Sequence, residues 1–176
     1  MKHRVVDTAM LPEPPILVNA FRSAMSLLAG GVTIVTSGQG DGRRGLTATA
    51  VCSLSMAPPM ILACINNTGE AHAAIEREAN FAVNILAEES REISDLFAGR
   101  GAERGAAKFE AAEWMTLKTG APVLKEALVA VDCEVAEKIC LPTHTVFLGA
   151  VRDVLIGPGK APLLHYDRHY GSVIVR

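Results

Sequence analysis

Aromatic residues are scarce in this chain of 176 residues: Phe, Trp and Tyr together make up 5%, and there is one tryptophan. That is too few to build the stacking platforms on which single-stranded nucleic acids bind. A basic excess is missing as well. Lys and Arg number 17 against 19 Asp and Glu, for a net charge of -2, and no basic run is longer than Arg43-Arg44. The electrostatic footprint of a nucleic-acid binder is therefore absent. No apolar run reaches the roughly 20 residues that cross a bilayer as a helix. The N-terminal stretch MKHRVVDTAMLPEPP contains no apolar core of signal-peptide length. The four cysteines, Cys52, Cys64, Cys133 and Cys140, form no CxxC pair and have no histidine at zinc-ligand spacing. Their apolar neighbours suit buried free thiols. These absences fit a reducing cytoplasm, with no nucleic-acid or membrane partner expected.

Several catalytic signatures are also wanting. Gly38-Gln39-Gly40-Asp41-Gly42 and Gly99-Arg100-Gly101 miss the GxGxxG spacing, and neither opens a helix after a strand. There is no GxxxxGK[ST] loop, which argues against a nucleoside triphosphatase. Ser53 and Ser55 lie in no GxSxG elbow. Cys140 and His144 are close in sequence, but Cys140 follows Ile139 in an apolar run and reads as a structural thiol more readily than as a nucleophile. His165, Asp167 and His169 alternate, so on a strand they would share a face and, with His144, offer a metal-ligand set. No carboxylate-rich second cluster accompanies them, and ordinary polar residues near a cleft are the simpler explanation.

What the chain has is apolar mass: 49% hydrophobic and 20% charged residues, enough for one globular domain with a sizeable core. Residues 1–15, with Pro12, Pro14 and Pro15, read as a loose, flexible extension, and 16–176 as the domain. Leu17, Phe21, Met25 and Leu28 recur at helical spacing, and Gly30-Gly31 follows as a stop. VTIVT (32–36) is a β-branched strand, and SGQGDG (37–42) a hairpin loop. MILACI (60–65) reads as a strand buried on both faces, and FAVNIL (81–86) as another strand. Short helices are expected over 70–77 and 90–97, and a Gly-rich surface loop over 99–108. Val129, Val131, Cys133 and Val135 alternate with Asp132, Glu134 and Ala136, as in a half-exposed antiparallel strand. A longer strand follows over 144–156, then short apolar pieces over 163–166 and 172–175. About six strands, mostly hairpin-linked, with three helices between them and no strand–helix–strand series, point to a mainly β, antiparallel barrel with peripheral helices.

One stretch draws the rest together: RRGLTATAVCSLSMAPP, residues 43–59. As a strand it would place Thr47, Thr49 and Val51 on one face and Leu46, Ala48 and Ala50 on the other, before a double proline turns the chain. Its residues are mostly small, which leaves the backbone open to a planar ligand. The hydroxyls of Thr47, Thr49, Ser53 and Ser55 suit phosphate or ribityl oxygens. They serve equally well as the water-facing side chains of a Thr/Ser-rich edge strand.

Five blocks in order, AFRSAMSLLAGGVTIVTS, GLTATAVCSLSMAPPMILACINN, NFAVNIL, HTVFLGAV and PLLHYDRHYG, resemble the short-chain flavin reductase family over residues 20–171. That resemblance implies an FMN-binding split β-barrel, usually a homodimer, in which NADH or NADPH reduces FMN or FAD. In many members the reduced flavin goes to a separate monooxygenase, the partner of a two-component system. The resemblance also implies site residues. Thr47, Ala48 and Thr49 would approach the flavin, and Ser53, Leu54 and Ser55 would lie around its ring and phosphate. Cys64, Asn66 and Asn67 would line it from the next strand, with Phe81 packed nearby. His144 would face the nicotinamide and act as the catalytic residue, while Arg168 and Tyr170 would close the site. One departure stands out: where relatives often have Gly-Asp-His, this chain has Pro142-Thr143-His144. Alternatives consistent with the same residues are a non-catalytic flavin-binding barrel and a flavoenzyme acting directly on an organic substrate.

Overall fold

Two long strands, β10 (Val129–Cys140) and β11 (His144–Ile156), form the backbone of a computed structural model that describes residues 2–5, 14–158 and 161–173. They pair antiparallel, with register shifts between Asp132 and Cys133 and between Val135 and Glu137. In chain order the other elements are β1 (Lys2–Val5), α1 (Pro15–Ser26), β2 (Gly30–Gly31), β3 (Thr33–Ser37), β4 (Arg44–Ala48), β5 (Val51–Met56) and β6 (Pro59–Asn66). Then come α2 (Glu70–Glu78), β7 (Asn80–Ile85), α3 (Arg91–Phe97), β8 (Trp114–Thr116), β9 (Pro122–Leu124), β12 (Leu164–Tyr166) and β13 (His169–Gly171). The main sheet runs β4-β3-β7-β10-β11-β6-β5, and β1 pairs parallel with the far end of β10. Smaller sheets join β13-β12-β2 and β8-β9.

The two edge strands of that path, β4 and β5, are consecutive in the chain. Three residue steps from Ala48 to Val51 span at most about 10 Å. The sheet must therefore curl until its edges nearly meet, leaving a split where β4 gives way to β5. Alternation along β3 and β7 fills both faces of the curl. Val35, Phe81 and Val83 pack on one side with Ile65, Cys133 and Phe147. Ile34 and Ala82 pack on the other with Phe97, Phe109 and Leu124. Buried Asn84 ties the second layer to the sheet: its Nδ2 donates to Ile34 O at 3.0 Å, and its Oδ1 accepts from Leu124 N at 2.8 Å.

Several sequence expectations need correction. Within the expected loose extension Lys2–Val5 is a strand and Pro15 opens α1, while residues 6–13 lie outside the described residues. Proline suits a helix's first turn because its missing N–H would have no partner there. The stretch 43–59 is two strands, not one. β6 is covered fully only at Ala63 and Ile65. β10 is more central than expected: Asp132 is fully buried, accepting Thr119 N at 2.7 Å and Thr119 Oγ1 at 2.5 Å. The final piece, 172–175, leaves the described residues at 174. No helix among the described residues is long and apolar enough to cross a membrane.

Candidate functional site

The split between β4 and β5 is where small residues leave the backbone open. Thr49 and Ala50 are exposed there, held on either side by the two edges. Thr33 Oγ1 donates to Ala48 O at 2.8 Å, and Cys64 N donates to Ala50 O at 2.9 Å. β2 passes so close that a Cβ on Gly30 would sit 3.1 Å from Thr49 Cβ.

Thr49 borders two cavities. The larger, of about 760 Å³, lies between the end of α1 and the sheet, lined by Met25, Leu28, Ala50–Ser53, Ile61 and Ile85. It is largely apolar. The smaller, of about 190 Å³, is lined by Thr47, Ala48, Ala98, Arg100, His165 and Tyr170.

The smaller cavity has a polar, hydrogen-bonded wall. The Tyr170 hydroxyl donates to Asp95 Oδ1 and pairs with Ser94 Oγ, each at 2.9 Å. With its one proton given to the carboxylate, it accepts from Ser94. Thr47 Oγ1 donates to Ser94 O at 2.6 Å, which fastens β4 to α3. Arg100 Nη1 donates to the same Asp95 Oδ1 at 2.6 Å. The Arg91 and Arg100 guanidinium carbons lie 5.1 and 5.8 Å from the Tyr170 ring centroid, and the His165 ring meets it edge-on at 5.9 Å. Burial raises the Tyr170 phenol above its ordinary value, and the Asp95 hydrogen bond and charge add to it; Ser94 and Arg100 oppose them. Tyr170 is therefore a neutral donor at physiological pH.

A second group forms where β6 meets the start of β11, with Asn66 opposite His144 in register. Asn67 N donates to Thr143 O at 3.0 Å and Asn67 Nδ2 to Leu141 O at 2.8 Å. Thr143 Oγ1 lies 2.9 Å from His144 Nδ1, so a hydroxyl orients the ring. Asn66 Oδ1 is occupied by Thr68, from both N (2.9 Å) and Oγ1 (2.8 Å). Cys64, half-buried, joins the groups along β6, and burial pushes its thiol up.

The expected residues thus divide. Thr47, Ala48, Thr49 and Tyr170 share the smaller cavity, and Thr49 and Ser53 border the larger. Leu54 is exposed at an irregularity between Ser53 and Ser55, and Ser55 Oγ accepts from Ala57 N at 3.3 Å. Asn66, Asn67 and His144 form the separate group. Phe81 needs correction: it is fully buried, packed so tightly under Gly149 that a Cβ there would lie 2.5 Å from its ring, and it has no surface to offer a ligand. Arg168 is also misplaced. It is exposed, at φ 64° in the β12–β13 turn, and borders neither cavity. That turn ends the expected alternation of His165, Asp167 and His169, since His165 pairs with Tyr170 across the hairpin. Among the described residues no cluster of three His, Cys, Asp or Glu side chains is placed to hold a metal. The arginines on Tyr170 are Arg91 and Arg100, and no local signal marks them. Arg100 stood only in a failed glycine motif.

Known proteins match this chain in sequence and in fold. The family model described as flavin reductase like domain matches residues 25–173. The FMN reductase (NADH) RutF of Pseudomonas syringae pv. syringae is 36% identical over 162 residues, covering 92% of this chain and 90% of its own length. The crystal structure of a Haemophilus somnus protein assigned as a flavin reductase superposes with a TM-score of 0.84 at 36% identity, covering 89% of this chain and 99% of that one. BorF, the flavin reductase component of a bacterial two-component tryptophan halogenase, superposes with a TM-score of 0.82 at 27% identity, covering 90% and 99%. The chain belongs to the flavin reductase family.

Proposed function

We propose that this protein is an NADH-dependent FMN reductase whose flavin lodges at the β4–β5 split. The observation that carries this is the pairing, across Thr49, of an apolar cavity with a polar one that holds Arg100. A flavin nucleotide has the same division, a large planar ring and an anionic tail. The names of the RutF relatives support FMN and NADH as the pair.

The nucleotides supply the redox chemistry, a hydride passing from nicotinamide to flavin. The chain supplies position. Small side chains at Ala48, Thr49 and Ala50 let a ring approach main-chain N–H groups, which stabilise charge developing on it. Thr47 and Tyr170 hold the polar wall rigid through Ser94. His144, its ring oriented by Thr143, presents Nε2 to the nicotinamide. No nucleophile–base pair is required, because orientation of two reactants at contact distance carries the rate.

Two further parts of the proposal concern partners. BorF, a component of a two-component system, supports delivery of reduced flavin to a separate monooxygenase. A homodimer is supported by α1, none of whose residues is buried although Ile16, Phe21 and Met25 are apolar and 80%, 64% and 47% exposed. An apolar helix with no buried residue in its own chain suits a surface closed by a second copy.

The deciding experiment is steady-state NADH and NADPH consumption with FMN and with FAD. The fastest turnover is expected with NADH and FMN. Absence of any flavin-dependent rate would overturn the proposal.

A further inference from the structure

We infer that His72, Thr145 and Asn67 are positioning residues that hold the His144 turn, so that a half-buried relay outside both cavities sets the affinity for nicotinamide. This rests on the proposed role of His144.

The donor and acceptor roles in the relay are fixed from one end. Asn67 Nδ2 donates to Leu141 O, which can only accept. Asn67 Oδ1 therefore faces Thr145, and Thr145 Oγ1 donates to it at 2.9 Å. With that proton spent, Thr145 Oγ1 accepts from His72 Nε2 at 2.9 Å, so His72 carries its proton on Nε2. The same ring nitrogen lies 4.0 Å from Glu76 Oε1, a buried oxygen with no hydrogen-bond partner. Glu76 Oε2 is paired with Lys138, only 7% exposed. The His72 ring packs on Phe147 with centroids 5.4 Å apart. A hydrogen-bonded chain thus runs from His72 on α2 through Thr145 on β11 to Asn67, with the Glu76–Lys138 pair beside its start.

Its last link grips the turn. Asn67 holds Leu141 O through its side chain and Thr143 O through its main chain, while Leu141 N closes the turn on His144 O at 2.9 Å. Thr143, so held, is the residue that orients the His144 ring. Pro142 and Thr143 sit within that turn, and the relay constrains it from behind through Asn67. Thr145 is adjacent to His144 but 2% exposed, so it acts through Asn67 and touches no ligand.

The test is Thr145→Val, which keeps shape and removes the hydroxyl, beside Thr145→Ser, which restores it. Thr145→Val removes both the bond to Asn67 and the one from His72, and loosening the turn in this way is expected to raise the KM for NADH roughly five-fold. The KM for FMN should stay within about two-fold, and Thr145→Ser should return both to near wild type. Should Thr145→Val fail to fold, His72→Phe is read in the same assay, since it keeps a ring on Phe147 and removes only the donor. An unchanged KM for NADH, or a KM for FMN that rises in step, would overturn the inference. His144→Ala separates the two layers. If it leaves the KM for NADH unchanged, the nicotinamide role of His144 fails and the inference falls with it. If it raises that KM while Thr145→Val does not, only the relay is wrong.

Discussion

The Tyr170 hydroxyl donates to Asp95 Oδ1 over 2.9 Å, joining β13 to α3 across 75 residues of sequence. Asp95 also receives Arg100, and Ser94 receives Thr47 through its carbonyl, so one phenol anchors both the polar wall and the end of β4.

Tyr170→Phe isolates that hydroxyl. The ring would remain against Arg91 and Arg100, while Asp95 and Ser94 each lose a partner. A lost hydrogen bond at a half-buried site costs about 1 kcal/mol, which in a domain of this size lowers Tm by roughly 2–4 °C. Weaker FMN binding, seen as a raised Kd in a fluorescence titration, is expected as well. Because Tyr170 titrates above its ordinary value, the difference between variant and wild type should be flat from pH 6 to 9. A variant that binds FMN as wild type does would remove the phenol from the site.

Cys52 offers a chemical footprint of the larger cavity. It is the exposed cysteine of the four and borders that cavity beside Ser53, whereas Cys133 is buried and Cys64 and Cys140 are half-buried. A maleimide should therefore label Cys52 first, and saturating FMN should slow that labelling several-fold, as read by peptide mass. Cys52→Ala should abolish the fast phase. Labelling at the same rate with and without FMN would place the flavin elsewhere.

The β-branched and alternating runs made β3, β7, β10 and β11 legible, as did the double proline that turns β5 into β6. The break at Thr49–Ala50 was not. Alternation continues through Thr47, Thr49 and Val51, because side-chain polarity records which face a residue occupies and not which neighbour its backbone pairs with. β4 pairs with β3 and β5 with β6, and that choice depends on curvature of the whole sheet. The same blindness explains the arginines. Arg168 lay beside Tyr170 in sequence, but a two-residue turn with Asp167 and Arg168 at φ 45° and 64° points it away, and Arg100 arrives from a distant loop. Asp132 looked solvent-facing because the two bonds that bury it come from Thr119, in a segment with no pattern of its own.

Alkaline stability should report on Cys133. Burial pushes its thiol up from 9.0 to about 12, and the charge of Asp132 adds to the effect. The folded state therefore holds this proton more tightly than the unfolded chain. The contribution to stability is fully present below about pH 9 and is lost as pH rises from there through 12. Cys133→Ala removes the titrating group while leaving a small void beside Gly149, so its Tm should start a few degrees lower at neutral pH. Between pH 9 and 11 it should then fall less steeply than wild type, and the two curves should converge. Tyr170 shifts in the same direction but only above its own ordinary value of 10.0. Lys108, lowered chiefly by burial, works in the opposite sense. Both are common to the two proteins and cancel in the difference. Parallel curves of Tm against pH would show that Cys133 ionises as easily in the folded protein as in the unfolded chain.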